Sequence, residues 1–335
     1  VSSQPEVGVV IPSHNRRALL ARTLRGVLAQ RDVALQVVVV DDGSADDTSD
    51  YVTGLGDARV TLVRHEVPRG VSAARNSGIE RCFAPWVAFS DDDDVWSPVK
   101  LRAQLDALAA HGRARWATTG SVRVYGEDLR ILFGEPVPRT SEVADVLLKN
   151  NIIPGGASSV LASTELVREV GGFDTRMSNL ADWDMWIRLG LRSPLAVVPR
   201  PLVGYYTHVG SMAGNVDSAL QDLGVIREKH RSAIAARGVE PSLENLLWYL
   251  SALQLRAGRR VGAARVLLRL VPLGRPAVHA FRNAAVGLVW PGLQRYRDRR
   301  DERALSPEWR CEAEAWLTAF RFRRACSDVT NHRSP

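Results

Sequence analysis

The sequence predicts an α/β protein, with a doubly wound sheet in its first part and helices at its end. Three observations carry that prediction. Short apolar runs alternate with helically spaced apolar residues between Val7 and Ala110. Three of these runs end in polar clusters, Ser13-His14-Asn15, Asp41-Asp42-Gly43-Ser44 and Asp91-Asp92-Asp93-Asp94, and the carboxyl ends of strands in such sheets frame a ligand crevice. From Asp217 onward the periodicity becomes wholly helical.

Taken in order, Val7-Gly8-Val9-Val10-Ile11 reads as a buried parallel strand closed by Pro12. Leu20, Leu24, Val27 and Leu28 then recur at helical spacing, predicting a helix over about 16–30. Leu35 to Val40 is a second buried strand, and Ser44 or Asp46 is placed to cap the helix after it. Val60 to Val63 is a third strand, Ser72 to Cys82 a helix, Trp86 to Phe89 a fourth strand and Pro98 to Ala110 a further helix. After Trp116 the reading is mixed. Short strands are expected at Ser121–Tyr125, Ser158–Ala162, Leu195–Val198 and Leu202–Thr207, with a glycine turn at Gly171-Gly172 and a helix over Trp183–Leu191. Near the end, Leu246, Leu247, Leu250, Leu253 and Leu255 face Ala263, Ala264, Leu267, Leu268 and Val271 across Gly258, as in a helical hairpin.

Composition narrows the class. The 335 residues are 45% hydrophobic and 24% charged, which argues against disorder and is enough for a large domain plus a smaller one. Cys82, Cys311 and Cys326 are too few for a disulfide framework and suit a reducing compartment. Val1 to Glu6 lacks the charged and apolar regions of a leader peptide, and no run reaches the ~20 apolar residues that span a bilayer. A soluble or peripheral cytoplasmic protein is the expectation. The net charge of +7 is uneven: 12 arginines against three acids between Arg256 and Arg303 leave the rest of the chain slightly acidic.

The acidic run at 91–94 is the strongest chemical signal. Carboxylates packed at a strand end repel one another unless a cation sits among them, and a hard divalent ion takes oxygen ligands; a solvated acidic loop is the alternative. A Gly-x-Gly-x-x-Gly fingerprint does not follow the first strand, and a P-loop is missing as well. Nucleotide binding would therefore have to use side-chain carboxylates and a metal.

Five segments together resemble family 2 glycosyltransferases of the GT-A fold. They are Val9 to Arg16, Val38 to Thr48, Gly70 to Ile79, Phe89 to Pro98 with the DXD-like aspartates, and Gly171 to Asp174 followed by Asp182 to Leu189. They stand in the family's order, and the resemblance stops near Asn215. It implies a mixed Rossmann-like GT-A sheet over 1–215, with a nucleotide-sugar half at 7–120, an acceptor half at 121–215, and a basic helical region at 216–335. It also implies an inverting transfer of a sugar from a nucleotide diphosphate to a hydroxyl acceptor, with Mn²⁺ or Mg²⁺. UDP or dTDP is the preferred donor nucleotide, because a carboxylate at Asp42 suits a base edge that presents an N–H. The acceptor is a glycan, a lipid-linked sugar or a small molecule.

The resemblance places Pro12, His14, Asn15, Asp42, Arg75, Asp91 and Asp92 at the donor. Asp91 and Asp93 match the metal-binding carboxylates, and His208, in the loop after the last strand, reaches the metal or the diphosphate. Arg75 contacts phosphate or pins the acidic loop, Asn76 satisfies backbone groups, and Asp94 holds the turn. Asp182 matches the catalytic base, which removes the acceptor proton as its oxygen attacks; burial beside Trp183 and Trp186 would raise its pKa. Ala181 departs from the Glu that many members carry there, so the base rests on Asp182, with Asp184 as the fallback. The Arg-rich helices are expected to cover the catalytic part, to form a homodimer or to lie on anionic lipid; no DNA-reading motif accompanies them. A sugar-phosphate nucleotidyltransferase would need a Gly-rich loop in place of Ser13 to Arg17. A silent sugar-nucleotide-binding module is the other alternative.

Overall fold

The computed structural model describes residues 4–207, 215–270 and 305–321. Among these, nine strands form one sheet: β1 (Val7–Ser13), β2 (Leu35–Asp41), β3 (Val60–Arg64), β4 (Trp86–Phe89), β5 (Val95–Trp96), β6 (Trp116–Tyr125), β7 (Arg130–Glu135), β8 (Val160–Ser163) and β9 (Leu195–Thr207). Their order is β3-β2-β1-β4-β8-β6-β9-β5, with β7 paired to β6. The helices between them are α1 (Arg17–Leu28), α2 (Thr48–Gly54), α3 (Val71–Arg81), α4 (Lys100–His111), α5 (Val143–Lys149), α6 (Thr164–Glu169) and α7 (Ala181–Gly190). Then come α8 (Val216–Lys229), α9 (Arg231–Arg237), α10 (Leu243–Arg256), α11 (Arg260–Leu268) and α12 (Pro307–Leu317).

Strands β1 and β2 are buried at every residue, which is why they read as unbroken apolar runs: a parallel sheet has helices on both faces. The chain builds outward from β1 to β3 and then returns to place β4 on the other side of β1, all in parallel. The crevice beyond β1 and β4 is therefore a switch point, the usual ligand site in such sheets. The sheet then turns mixed. β8 lies antiparallel between β4 and β6, and β5 lies antiparallel to β9.

The two pieces expected at 195–198 and 202–207 are one strand of 13 residues. Pro199 and Pro201 interrupt its pattern where the register with β6 shifts around Gly120, a place where ladder hydrogen bonds are already broken. β5 and β7 were not expected. The first has two residues, too few for a periodicity, and the second is the return arm of a β6–β7 hairpin.

The largest apolar cluster lies on one face of the sheet. It joins Val10, Phe89, Trp116, Phe173 and Trp186 to Leu246, Leu247, Leu250, Ala264 and Leu267 of the C-terminal helices. Phe173 meets Phe89 edge-on at 5.0 Å and Trp186 stacks on Trp116 at 6.2 Å between ring centroids, so the start of α7 is fixed against β4 and β6. The hairpin expected around Gly258 is formed by α10 and α11, with Gly258 at φ 73°. A separate cluster seats Trp316, Leu317 and Phe320 of the last segment against β5, β6 and β7. No helix among the described residues is long and apolar enough to cross a membrane.

Candidate active site

The ends of β1, β2 and β4 and the start of α7 surround a cleft of about 550 Å³. The β1–β2 register sets Ser13 opposite Asp41, and the β1–β4 register sets Val10 opposite Phe89. The loops that follow the strands therefore emerge at one level.

The four consecutive aspartates have four different surroundings. Asp91 accepts a hydrogen bond from Arg75 Nη2 at 2.6 Å, and its amide donates to Ser158 Oγ. Asp92 accepts from Ser13 Oγ at 2.7 Å and from Arg16 Nη1 at 3.1 Å. Arg16 Nη1 also reaches Asp93 Oδ2 at 3.3 Å. Burial first, and the charge of Asp93 second, push the Asp92 carboxyl up to about 7. Asp94 is fully buried, does not line the cleft and accepts the Tyr206 amide at 2.8 Å. It thereby ties the acidic turn to β9, in the turn-holding part expected of it.

At the end of the cleft beside β2, Asp42 is clamped. Oδ1 accepts from His65 Nδ1 at 2.6 Å and from the Arg69 amide at 2.8 Å, and Oδ2 accepts from the Gly70 amide at 2.8 Å. Burial alone would raise this carboxyl, but these hydrogen bonds more than offset it and hold it below the usual carboxylate range. A carboxylate has about four acceptor positions, so Oδ2 retains one for a donor in the cleft. His14 lines the cleft with its ring on the Asp42 carbonyl at 2.7 Å, and Pro12 lies beside it. Asn15 does not line the cleft. Its backbone adopts φ 54°, its amide N–H donates to Ser44 Oγ and its Oδ1 accepts from the Ala45 amide, so it ties the first loop to the second. Asp41 is also spent inside the fold, on Arg64, Ser49 and the Ser44 amide.

At the far end of the cleft stands Asp182, in the first turn of α7. Its Oδ1 accepts from the Trp183 amide at 2.7 Å. Burial pushes its carboxyl up to about 6, against the opposing influence of Arg75. Gly156 lies across from it at φ 56°. A Cβ there would come within 3.3 Å of the Tyr205 ring and 3.8 Å of Asp182 Oδ2, so the missing side chain keeps the approach to Asp182 open. Asp184, the fallback base, does not reach the cleft. It is fully buried on Arg188, Lys229 and His230. A two-residue step on a helix turns a side chain to a different face.

Residues 8–158 match Glycosyl transferase family 2. The putative teichuronic acid biosynthesis glycosyltransferase TuaG of Bacillus subtilis is 31% identical over 195 residues, covering 56% of this chain and 74% of TuaG. The chain belongs to family 2 of the glycosyltransferases. A second relative of this glycosyltransferase is WfgD of Escherichia coli, a UDP-Glc:α-D-GlcNAc-diphosphoundecaprenol β-1,3-glucosyltransferase. It is 30% identical over 102 residues, which is 30% of this chain and 40% of WfgD, so the chain spans less than half the length of that relative. Among solved structures, Staphylococcus aureus TarS 1–349 in complex with UDP-GlcNAc aligns with a TM-score of 0.56 at 16% identity, over 83% of this chain and 90% of that one. The glycosyltransferase thus has the GT-A architecture, with a helical C-terminal region.

Several residues of the glycosyltransferase site were not expected. Arg16 bridges two of the acidic residues; a basic pair, Arg16-Arg17, just past the first loop and opposite four acids is the signal that could have found it. His65 lies 23 residues from the Asp42 it clamps, and nothing local announces it. Asp222 of α8 accepts the amides of Ser178, Asn179 and Leu180 at 3.2, 2.7 and 2.9 Å, fixing the turn before α7 that forms part of the cleft wall. The Arg123–Glu135 pair supports the cleft wall that carries Gly156 and Tyr205. Glu135 accepts from the Gly155 amide at 3.1 Å, and the Arg123 guanidinium lies 4.3 Å over the Tyr205 ring. His208 lies outside the described residues.

The donor set fits a hard divalent cation only in part-built form. Among the described residues no three His, Cys, Asp or Glu side chains converge to hold an ion alone. The carboxylates of Asp91 and Asp93 do face the cleft. Mg²⁺-type sites commonly use one or two carboxylates and complete their shell with substrate phosphate and water, and this cleft suits that arrangement.

Proposed function

We propose that this glycosyltransferase moves a sugar from a nucleotide diphosphate, UDP- or dTDP-linked by preference, to an acceptor hydroxyl with inversion at the anomeric carbon. The observation that carries the reading is the placement of Asp182. A carboxyl pushed up to about 6 faces, across one cleft, a cluster of carboxylates and guanidiniums suited to a diphosphate. WfgD is named for an acceptor on diphosphoundecaprenol, which supports a lipid-linked saccharide as the acceptor here.

In this reading Asp42 takes a hydrogen bond from the base edge, and Arg16 and Arg75 meet the diphosphate. Asp93 and Asp91 would hold Mn²⁺ or Mg²⁺, which supplies Lewis-acid stabilisation of the leaving diphosphate. The acceptor enters past Gly156 and Tyr205. Its oxygen attacks the anomeric carbon while its proton passes to Asp182. The bond from that carbon to the β-phosphate oxygen breaks, and its electron pair stays on the phosphate. Asp182 then gives up the proton to solvent.

Asp182→Asn tests the assignment. Release of UDP from UDP-glucose and UDP-GlcNAc with Mn²⁺ should fall by about 10²-fold or more, the usual worth of a general base, with the Kd for UDP unchanged. Undiminished release would remove Asp182 from the reaction.

A further inference from the structure

We propose that the exposed face of α11 docks the protein on an anionic lipid surface. The proposal deepens the reading of the cleft as a transfer site for a lipid-linked acceptor and rests on it for its purpose.

The α10–α11 hairpin is anchored from below. Leu246, Leu247 and Leu250 of α10 and Ala264, Val266 and Leu267 of α11 belong to the main core cluster. On its outer side α11 leaves large apolar groups in solvent, with Val261 57% and Leu268 45% exposed. Arg265 and Arg269 are exposed as well. Positions 261, 265, 268 and 269 lie three and four residues apart, so all four side chains share one helical face. Apolar groups flanked by arginines on a surface helix match the interface of a bilayer: the apolar groups enter the acyl boundary while the guanidiniums meet headgroup phosphate.

Charge selects an anionic surface. Between Glu244 and Asp298 the sequence has no acidic residue, whereas Arg256, Arg259, Arg260, Arg265 and Arg269 all fall on or beside the hairpin. Asp217 of α8 does reach this side and takes up Arg269, at 3.0 Å. That same contact links the face to the cleft. Ser218, the next residue, holds the Asn179 amide at 2.8 Å, and Asn179 lines the acceptor end of the cleft. A bilayer against α11 would thus lie beside the rim that a lipid-linked acceptor has to cross.

Co-sedimentation of the full chain with vesicles tests this. Phosphatidylglycerol vesicles at low salt should pellet the protein and pure phosphatidylcholine vesicles should not, and ~0.5 M salt should release it, because screening shortens the reach of the charges. Val261→Ser with Leu268→Ser should weaken vesicle binding about tenfold, and Arg265→Gln separately about fivefold. UDP release from UDP-glucose in vesicle-free solution should be unchanged, which also shows that the variants are folded. No pelleting at low salt would overturn the proposal, as would full binding by both variants or equal binding to RNA in place of vesicles. Vesicle binding by a chain that releases no UDP from any donor would leave the docking face standing and count against the transfer reading alone.

Discussion

Asp184 offers the sharpest quantitative test of how the active-site helix is held. Its carboxyl is fully buried, with Arg188 Nη2 at 2.6 Å, Lys229 Nζ at 3.0 Å and His230 Nε2 at 2.8 Å. Burial works to raise its pKa, but the His230 hydrogen bond and the Arg188 and Lys229 charges win and lower it to about 2. A depression of roughly two units corresponds to about 2.5 kcal/mol of folding stability. The folded value lies below the unfolded one. The contribution is therefore fully present above the unfolded pKa of ~4 and is lost as pH falls through the folded pKa of about 2.

Asp184→Asn leaves the Arg188 and Lys229 cations beside a neutral amide, and breaking a buried ion pair in this way costs about 3–5 kcal/mol. Urea unfolding followed by tryptophan fluorescence at pH 7 should show that loss. At pH 3 the wild type has already given up about 1 kcal/mol of the same contribution, so the gap between the two proteins should narrow by that much. A variant within ~0.5 kcal/mol of wild type at pH 7, the range of an ordinary surface change, would refute the reasoning. So would a gap that does not shrink in acid.

Two further outcomes follow from the Asp182 end of the cleft. With Asp182 pushed up to about 6, kcat/KM for UDP release should rise with pH through an acid limb near 6, because the base must be ionised; Arg75→Ala, which removes a charge that lowers Asp182, should move the limb upward, and a flat profile from pH 5 to 8 would contradict both. Gly156→Ala places a methyl 3.3 Å from Tyr205 at a backbone φ of 56°, so transfer to a saccharide acceptor should fall more than release to water while the Kd for UDP holds; equal loss of both would point to backbone strain alone.

The parts of the protein that were legible in the sequence are those with a one-dimensional signature. β1, β2 and β4 show as apolar runs because both their faces are covered, and their loops show because their charges are consecutive. The side chains that set the site's electrostatics come from elsewhere in the chain. His65 and the Arg69 and Gly70 amides reach Asp42 across a loop, and Glu135 reaches the Gly155 amide from the return arm of the β6–β7 hairpin, 20 residues away. Asp184 looked like a spare base because its partners Lys229 and His230 lie more than 40 residues away. Asn15 stands in the right loop, but a left-handed backbone turns its amide toward Ser44 and Ala45 instead of the cleft.

Calorimetric titration with UDP, in Mn²⁺ and then in EDTA, tests the central claim most directly. The account predicts saturable one-to-one binding with Mn²⁺ that weakens by about tenfold or more in chelator, a loss of at least ~1.4 kcal/mol, and that Asp93→Ala reproduces in the presence of the metal. The same affinity in EDTA, with Asp93→Ala indistinguishable from wild type, would contradict it.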